Sequence, residues 1–155
     1  MKKYQSLKNL QVILLILNLI DMTIDLNKYV EFVDGTTSDP SKYYSEFIDR
    51  LIQLESEEFA TERLLTAAVG MSAEAGEFTE IVKKIVFQGK PVNNENLFHL
   101  KRELGDIMWY VAQACMGLNV SIEEIVQMNF EKLSARYPEG TFSIERSENR
   151  VAGDL

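Results

Sequence analysis

Hydrophobic residues recur at alternating spacings of three and four through most of the chain, the period of amphipathic helices, and strand-like alternation is nearly absent. Leu64, Ala68, Met71, Ala75, Phe78, Val82 and Ile85 trace one stripe and predict a helix from about Thr61 to Phe87. Gln88-Gly89-Lys90-Pro91 ends it, and Asn93-Asn94 offers a cap for the next. That helix, about Glu95 to Met116, carries Leu100, Leu104, Ile107, Val111, Ala114 and Leu118 in the same rhythm. Two long helices with a short connection should pack antiparallel. Upstream, Asp39-Pro40 reads as an N-cap with Pro at the first helical position, opening a helix to about Ser56 through Tyr44, Phe47, Ile48, Leu51 and Leu54. Downstream, Ser121-Ile122-Glu123-Glu124 is a capping-box pattern for a helix that runs to about Tyr137, where Pro138 stops it. The tail 139–155 is polar and is expected on the surface or on a partner subunit. The expected fold is all-α and four-helix bundle-like, in one domain, since 155 residues bury a sizeable core but do not make two ordinary domains.

The first 21 residues stand apart. The apolar run from Val12 to Ile20, broken by Asn18, is shorter than the ~20 residues that a spanning helix needs, and no small-residue cleavage site follows it. Residues 1–21 are therefore expected to be an extension, either a short hydrophobic helix packed on the domain or, the favoured reading, a stretch not natively translated with Met22 as the start of a domain over 22–155. No membrane association is expected. A formal charge of −8 disfavours binding along a nucleic-acid backbone, which requires a basic surface. It admits a small anionic substrate if a divalent cation stands between it and the protein's carboxylates. The single cysteine, Cys115, allows no internal disulfide and points to a reducing cytoplasm.

Carboxylates at helical spacing carry the chemistry. Glu74 and Glu77 are three apart, as are Glu103 and Asp106 on the following helix, so each pair shares a helix face. Each pair lies one position before members of the apolar stripe, Ala75/Phe78 and Leu104/Ile107, so the acids should flank the seam between the helices. Four carboxylates brought together repel unless a cation sits among them or they take up protons. Oxygen-only ligands suit Mg²⁺, or Mn²⁺, rather than zinc. A single E-x-x-E usually marks only a solvated helix edge. Here Gly76 and Gly105 precede the second acid of each pair, at a cost of ~1 kcal/mol per helix-interior glycine, and close helix approach around a metal would explain both. Lys84 and Tyr110 fall at matching phase, and Asn129, Lys132 and Arg136 follow at spacings of three and four on the last long helix. An amide, an ammonium and a guanidinium on one face make a cradle for phosphate oxygens.

Glu74-Ala-Gly-Glu77, then Glu103-Leu-Gly-Asp106 after 25 intervening residues, then Asn129-Phe-Glu-Lys132-Leu-Ser-Ala-Arg136-Tyr-Pro together resemble the MazG-like branch of the all-α nucleoside triphosphate pyrophosphatases. The likeness is greatest to the short single-domain type of tailed cyanobacterial phages, and spans about Thr23 to Leu155. It implies that the four acids bind Mg²⁺ and that a nucleoside triphosphate, canonical or modified dNTPs above all, is cleaved between its α and β phosphates. It also implies that Asn129, Lys132, Arg136 and Lys84 contact phosphate, and that the protein is a homo-oligomer, dimer or tetramer, with active-site residues near the subunit contact. Surplus apolar residues agree: Leu65, Ile81 and Val86 on one long helix and Met108, Trp109 and Ala112 on the other lie off the main stripe. His99 reads as a surface residue, and Trp109 as part of an interface. The competing readings are hydrolysis of another pyrophosphate, such as an alarmone or phosphoribosyl-ATP, and a non-catalytic helical module with a structural metal.

Overall fold

Local capping chemistry explains where most helices of this chain begin and end. The computed structural model describes residues 24–149, so the expectations for 1–21 and for the end of the tail lie outside the described residues. Those described residues form helices α1 (Leu26–Thr36), α2 (Asp39–Lys42), α3 (Tyr44–Ser56), α4 (Thr61–Gln88), α5 (Asn94–Leu118), α6 (Ile122–Arg136) and α7 (Ile144–Glu148), with no strand among them. They fall into two compact units that divide between Arg50 and Leu51. None of the described helices is long and apolar enough to cross a membrane.

In the first unit, the Asp25 side chain caps α1 by accepting from the backbone N–H groups of Asn27 and Lys28. The helix expected from Asp39 to Ser56 is broken. Ser38 is the N-cap, Asp39-Pro40 are the first two helical residues, and Tyr43 leaves the helix at φ −117°, ψ 126°. Lys42 reaches back to donate to the Asp34 carbonyl at 3.0 Å, at the end of α1, which favours a turn there over a continuous helix. The Tyr43 carbonyl then accepts from Phe47 N and starts α3.

The second unit is organised by the antiparallel α4/α5 hairpin. Gly89, in the left-handed region at φ 72°, ends α4, and the Asn93 side chain caps α5 by accepting from Asn96 N. Along the hairpin Arg63 donates to Gln113 at 2.6 Å, Leu64 lies against Gly117, and Gly70 lies under the Tyr110 ring. Glu74 comes next to Glu103 and Asp106. Helix α6, capped by Ser121 as the capping-box pattern predicts, contacts α5 over a short stretch only. Ser143 caps α7, a helix that the polar tail did not announce.

The predicted stripe holds at Leu64, Met71, Phe78 and Ile85 of α4 and at Leu100, Ile107, Val111 and Ala114 of α5, and shifts by one residue between them on α4, from 68, 75 and 82 to 67, 74 and 81. Ala67, Gly70, Cys115, Asn96 and Glu103 are buried and Leu64, Met71, Glu74, Phe78 and Ile81 half-buried, whereas Ala68, Ala75, Val82, Leu104 and Leu118 are exposed. Small residues decide this, since Ala67 and Gly70 let the backbones approach, and both helices carry apolar residues on more than one face. Ala67 and Cys115 are the only hydrophobic side chains that the described residues bury completely enough to form a dry core.

Candidate active site

The packing of the hairpin places acids inside the seam instead of beside it. Glu74, from the middle of α4, is half-buried, and Glu103, from α5, is 7% exposed, while Asp106 one turn on remains exposed. One carboxylate oxygen from each of the three lies within 4.8 Å of the others. Glu77 is exposed and outside this trio, yet its charge is the strongest single electrostatic influence on Glu74.

Desolvation in the seam, then the charges of Glu77, Asp106 and Glu103, and a proton-sharing contact with Glu103 raise the Glu74 carboxyl above its ordinary 4.5. Among the described residues no cation enters that balance. A cluster of this kind takes up a proton or a metal ion. The donor set fits a hard cation: it is all oxygen, and octahedral ligands at about 2.0–2.1 Å stand roughly 3–4 Å apart, within the span of the trio. Glu74, Glu103 and Asp106 would hold such an ion.

The raised Glu74 carboxyl has a consequence for stability. Its ionisation penalises the folded state, because the folded pKa exceeds the unfolded one. The penalty grows as pH climbs from 4.5 through the raised value and is constant above it. Glu74→Gln is therefore expected to raise the melting temperature at pH 7 in EDTA, with the gain shrinking on acidification toward 4.5. A variant that melts at or below the wild-type temperature at pH 7 would refute this.

The two glycines beside the acids do not bring helices together. A Cβ added to Gly76 or Gly105 meets nothing within 4 Å, because each lies two residues, roughly 200°, around the helix from an acid in the seam. The close approaches are instead at Gly70 and Gly117. Tyr110 lies with its ring over Gly70 and edge-on to Trp109, centroids 4.9 Å apart, so the ring packs the hairpin next to the acids. Lys84 lies 3.2 Å from a Glu80 carboxylate oxygen, and Lys83 contacts the same carboxylate. These two ammonium groups, Lys83 first, hold the Glu80 carboxyl below its ordinary value. His99 is half-buried and Trp109 exposed.

Helix α6 presents Asn129 exposed and Lys132 and Arg136 half-buried. The Arg136 guanidinium lies 6.0 Å from the Tyr137 ring centre. The structure thus brings three of the four acids into one cluster with the fourth beside it, and keeps Lys84 on its own helix with Glu80.

The span from residue 62 to residue 141 matches the MazG nucleotide pyrophosphohydrolase domain. The gene 37 protein of Mycobacterium phage L5 is 41% identical over 80 residues, which cover 51% of this chain and 70% of that protein. No solved structure matches. The matched span includes all four acids together with Asn129, Lys132 and Arg136.

Proposed function

From the premise that the chain belongs to the MazG nucleotide pyrophosphohydrolase family, we propose that it hydrolyses nucleoside triphosphates, dNTPs foremost, between the α and β phosphates. The observation that carries this reading is the trio Glu74, Glu103 and Asp106, an all-oxygen set built into the hairpin seam and suited to Mg²⁺ or Mn²⁺. A divalent ion bound there would draw charge from the triphosphate and acidify the attacking water. Glu77, exposed one turn from Glu74 and outside the trio, is the group that accepts the water's proton. The water oxygen bonds to the α phosphorus, the α–β anhydride bond breaks, and pyrophosphate leaves with the electron pair. Lys132 and Arg136 hold phosphate oxygens, with Asn129 beside them on α6, and Lys84 is a further cation for the phosphates once it turns from Glu80. The cytoplasm, that of the host if the protein is phage-encoded, is the compartment that this reading assigns.

Turnover of dNTPs in ¹⁸O-labelled water tests the bond that breaks. The label is expected in the nucleoside monophosphate, with pyrophosphate as co-product. Release of nucleoside diphosphate and inorganic phosphate would rule the reading out.

The same reading assigns a homo-oligomer, dimer or tetramer. Leu65 and Trp109, off the seam, are 54% and 55% exposed, and a domain with so small a dry core gains most from burying such surface against a second copy. Among the described residues no cation contributes to the shift of Glu74, and a partner's α6 is a source of one. Light scattering at micromolar concentration should give two or four times 17.7 kDa. A fully active species of one subunit's mass would contradict the assembly.

A further inference from the structure

Helix α6 also forms one wall of a groove of about 440 Å³ in which Asn129, Phe130, Leu133 and Tyr137 face Phe142. Gly140 makes the groove possible. Its φ of 69° lies in the left-handed region, and its N–H donates to the Tyr137 carbonyl at 2.8 Å, so the chain folds back on the end of α6. Phe142 thereby meets Tyr137 with ring centroids 5.9 Å apart and planes tilted by 43°. Arg146 fixes the turn from α7, donating to the Glu139 carboxylate at 2.7 Å and the Arg136 carbonyl at 3.5 Å.

At about 100° per residue, Phe130, Leu133 and Tyr137 share one face of α6, and Lys132 and Arg136 lie roughly a quarter turn around. Asn129 sits at the border between them. An aromatic groove therefore runs into a cationic edge, with an amide where the two meet. In a chain of net charge −8, that juxtaposition suits a ligand that is flat and apolar at one end and anionic at the other. The volume is that of a small-molecule site, for which ~300–1,000 Å³ is usual. Rings that can stack, plus one amide that can donate and accept, are the equipment for a heteroaromatic ring.

We propose that this groove is the protein's nucleobase site, with the base against Phe130, Tyr137 and Phe142, its polar edge toward Asn129 and its phosphates toward Lys132 and Arg136. The identity of the ligand rests on the pyrophosphohydrolase reading.

Phe142 is 73% exposed, so Phe142→Ala should leave the fold intact. Its steady-state kinetics with dNTPs are compared with its inhibition by inorganic tripolyphosphate, which has no base. The KM for nucleotide is expected to rise about tenfold, the scale of one lost base–aromatic stack, with tripolyphosphate inhibition and solution mass unchanged. Phe142→Trp should restore the KM. An unchanged KM would overturn the site, and so would a fall in solution mass, which would mark the groove as a seat for a second copy. If the wild-type protein hydrolyses no nucleotide, the pyrophosphohydrolase reading fails by itself. Calorimetric titration with deoxynucleoside monophosphates then decides the groove: binding lost in Phe142→Ala supports it, and binding that is equal in both proteins or absent from the wild type overturns it.

Discussion

Gly70→Ala is expected to destabilise the second unit strongly, whereas the same change at Gly76 or Gly105 should stabilise it. Alanine is worth ~1 kcal/mol over glycine inside a helix, and that gain applies at all three positions. At Gly76 and Gly105 the new methyl meets nothing within 4 Å, so nothing offsets the gain. At Gly70 it would fall inside the Tyr110 ring, and either the ring swings out or the hairpin opens. Overpacking of this kind costs ~1–3 kcal/mol, and a rigid ring already seated against Trp109 belongs at the upper end, for a net loss of about 2 kcal/mol. For a domain of this size that lowers the melting temperature by roughly 4–8 °C. A double-mutant cycle checks the cause. Tyr110→Ala should cost less in the Gly70→Ala background than alone, by about 1 kcal/mol or more. Additive losses would show that the ring is not the obstacle. Should Gly76→Ala or Gly105→Ala instead destabilise the protein and reduce its mass, a neighbouring chain would be reading those positions.

Helix identity was legible because it is written in local chemistry: Ser121 with Glu124, Gly89 after Gln88, and Asn93 before α5 all behave as their side chains require. Rotation was legible only in part. Leu65, Val69, Val82 and Val86 make α4 apolar on several faces, so a stripe chosen on hydropathy keeps Leu64, Met71, Phe78 and Ile85 but misses the seam by one residue at 68, 75 and 82. The signal that settles the phase is the small pair Ala67 and Gly70, with Gly70 under the large Tyr110, and it becomes readable only when the two helices are set side by side. The same error led Gly76 and Gly105 to be read as contact points and placed Glu74 beside the seam instead of within it. Helix α1 has apolar spacing of its own at Leu26, Tyr29, Val30 and Val33, and Asp25 as a cap, but it lies where the motif pattern is silent. The break at Tyr43 goes with the Lys42 hydrogen bond to the Asp34 carbonyl, a contact that local patterning does not encode. The acid motif gave all four carboxylates, and the three-dimensional arrangement divides them into a trio and an outlier. The groove under Phe142 had one signal, the turn residues Pro138-Glu139-Gly140 ahead of an isolated aromatic.

That division makes the roles of the acids separable. Asp106 is the cleanest probe of the trio, since it is exposed, and Asp106→Asn should leave the helical fold intact, unlike a change at the buried Glu103. Loss of one of three ligands should move the midpoint of a Mg²⁺ or Mn²⁺ activation curve upward by tenfold or more and lower turnover by orders of magnitude. Glu77→Gln acts on a different quantity. As the base outside the trio, its loss should reduce kcat by about 10²–10⁴ while the metal midpoint stays within roughly twofold. Both variants are measured by metal titration of initial rates, with helicity followed by circular dichroism, and chelation by EDTA should abolish activity in every case. Equal shifts of the midpoint in both variants would make Glu77 a fourth ligand, undiminished turnover in EDTA would remove the metal from the reaction, and wild-type kcat in Glu77→Gln would leave the proton to another group.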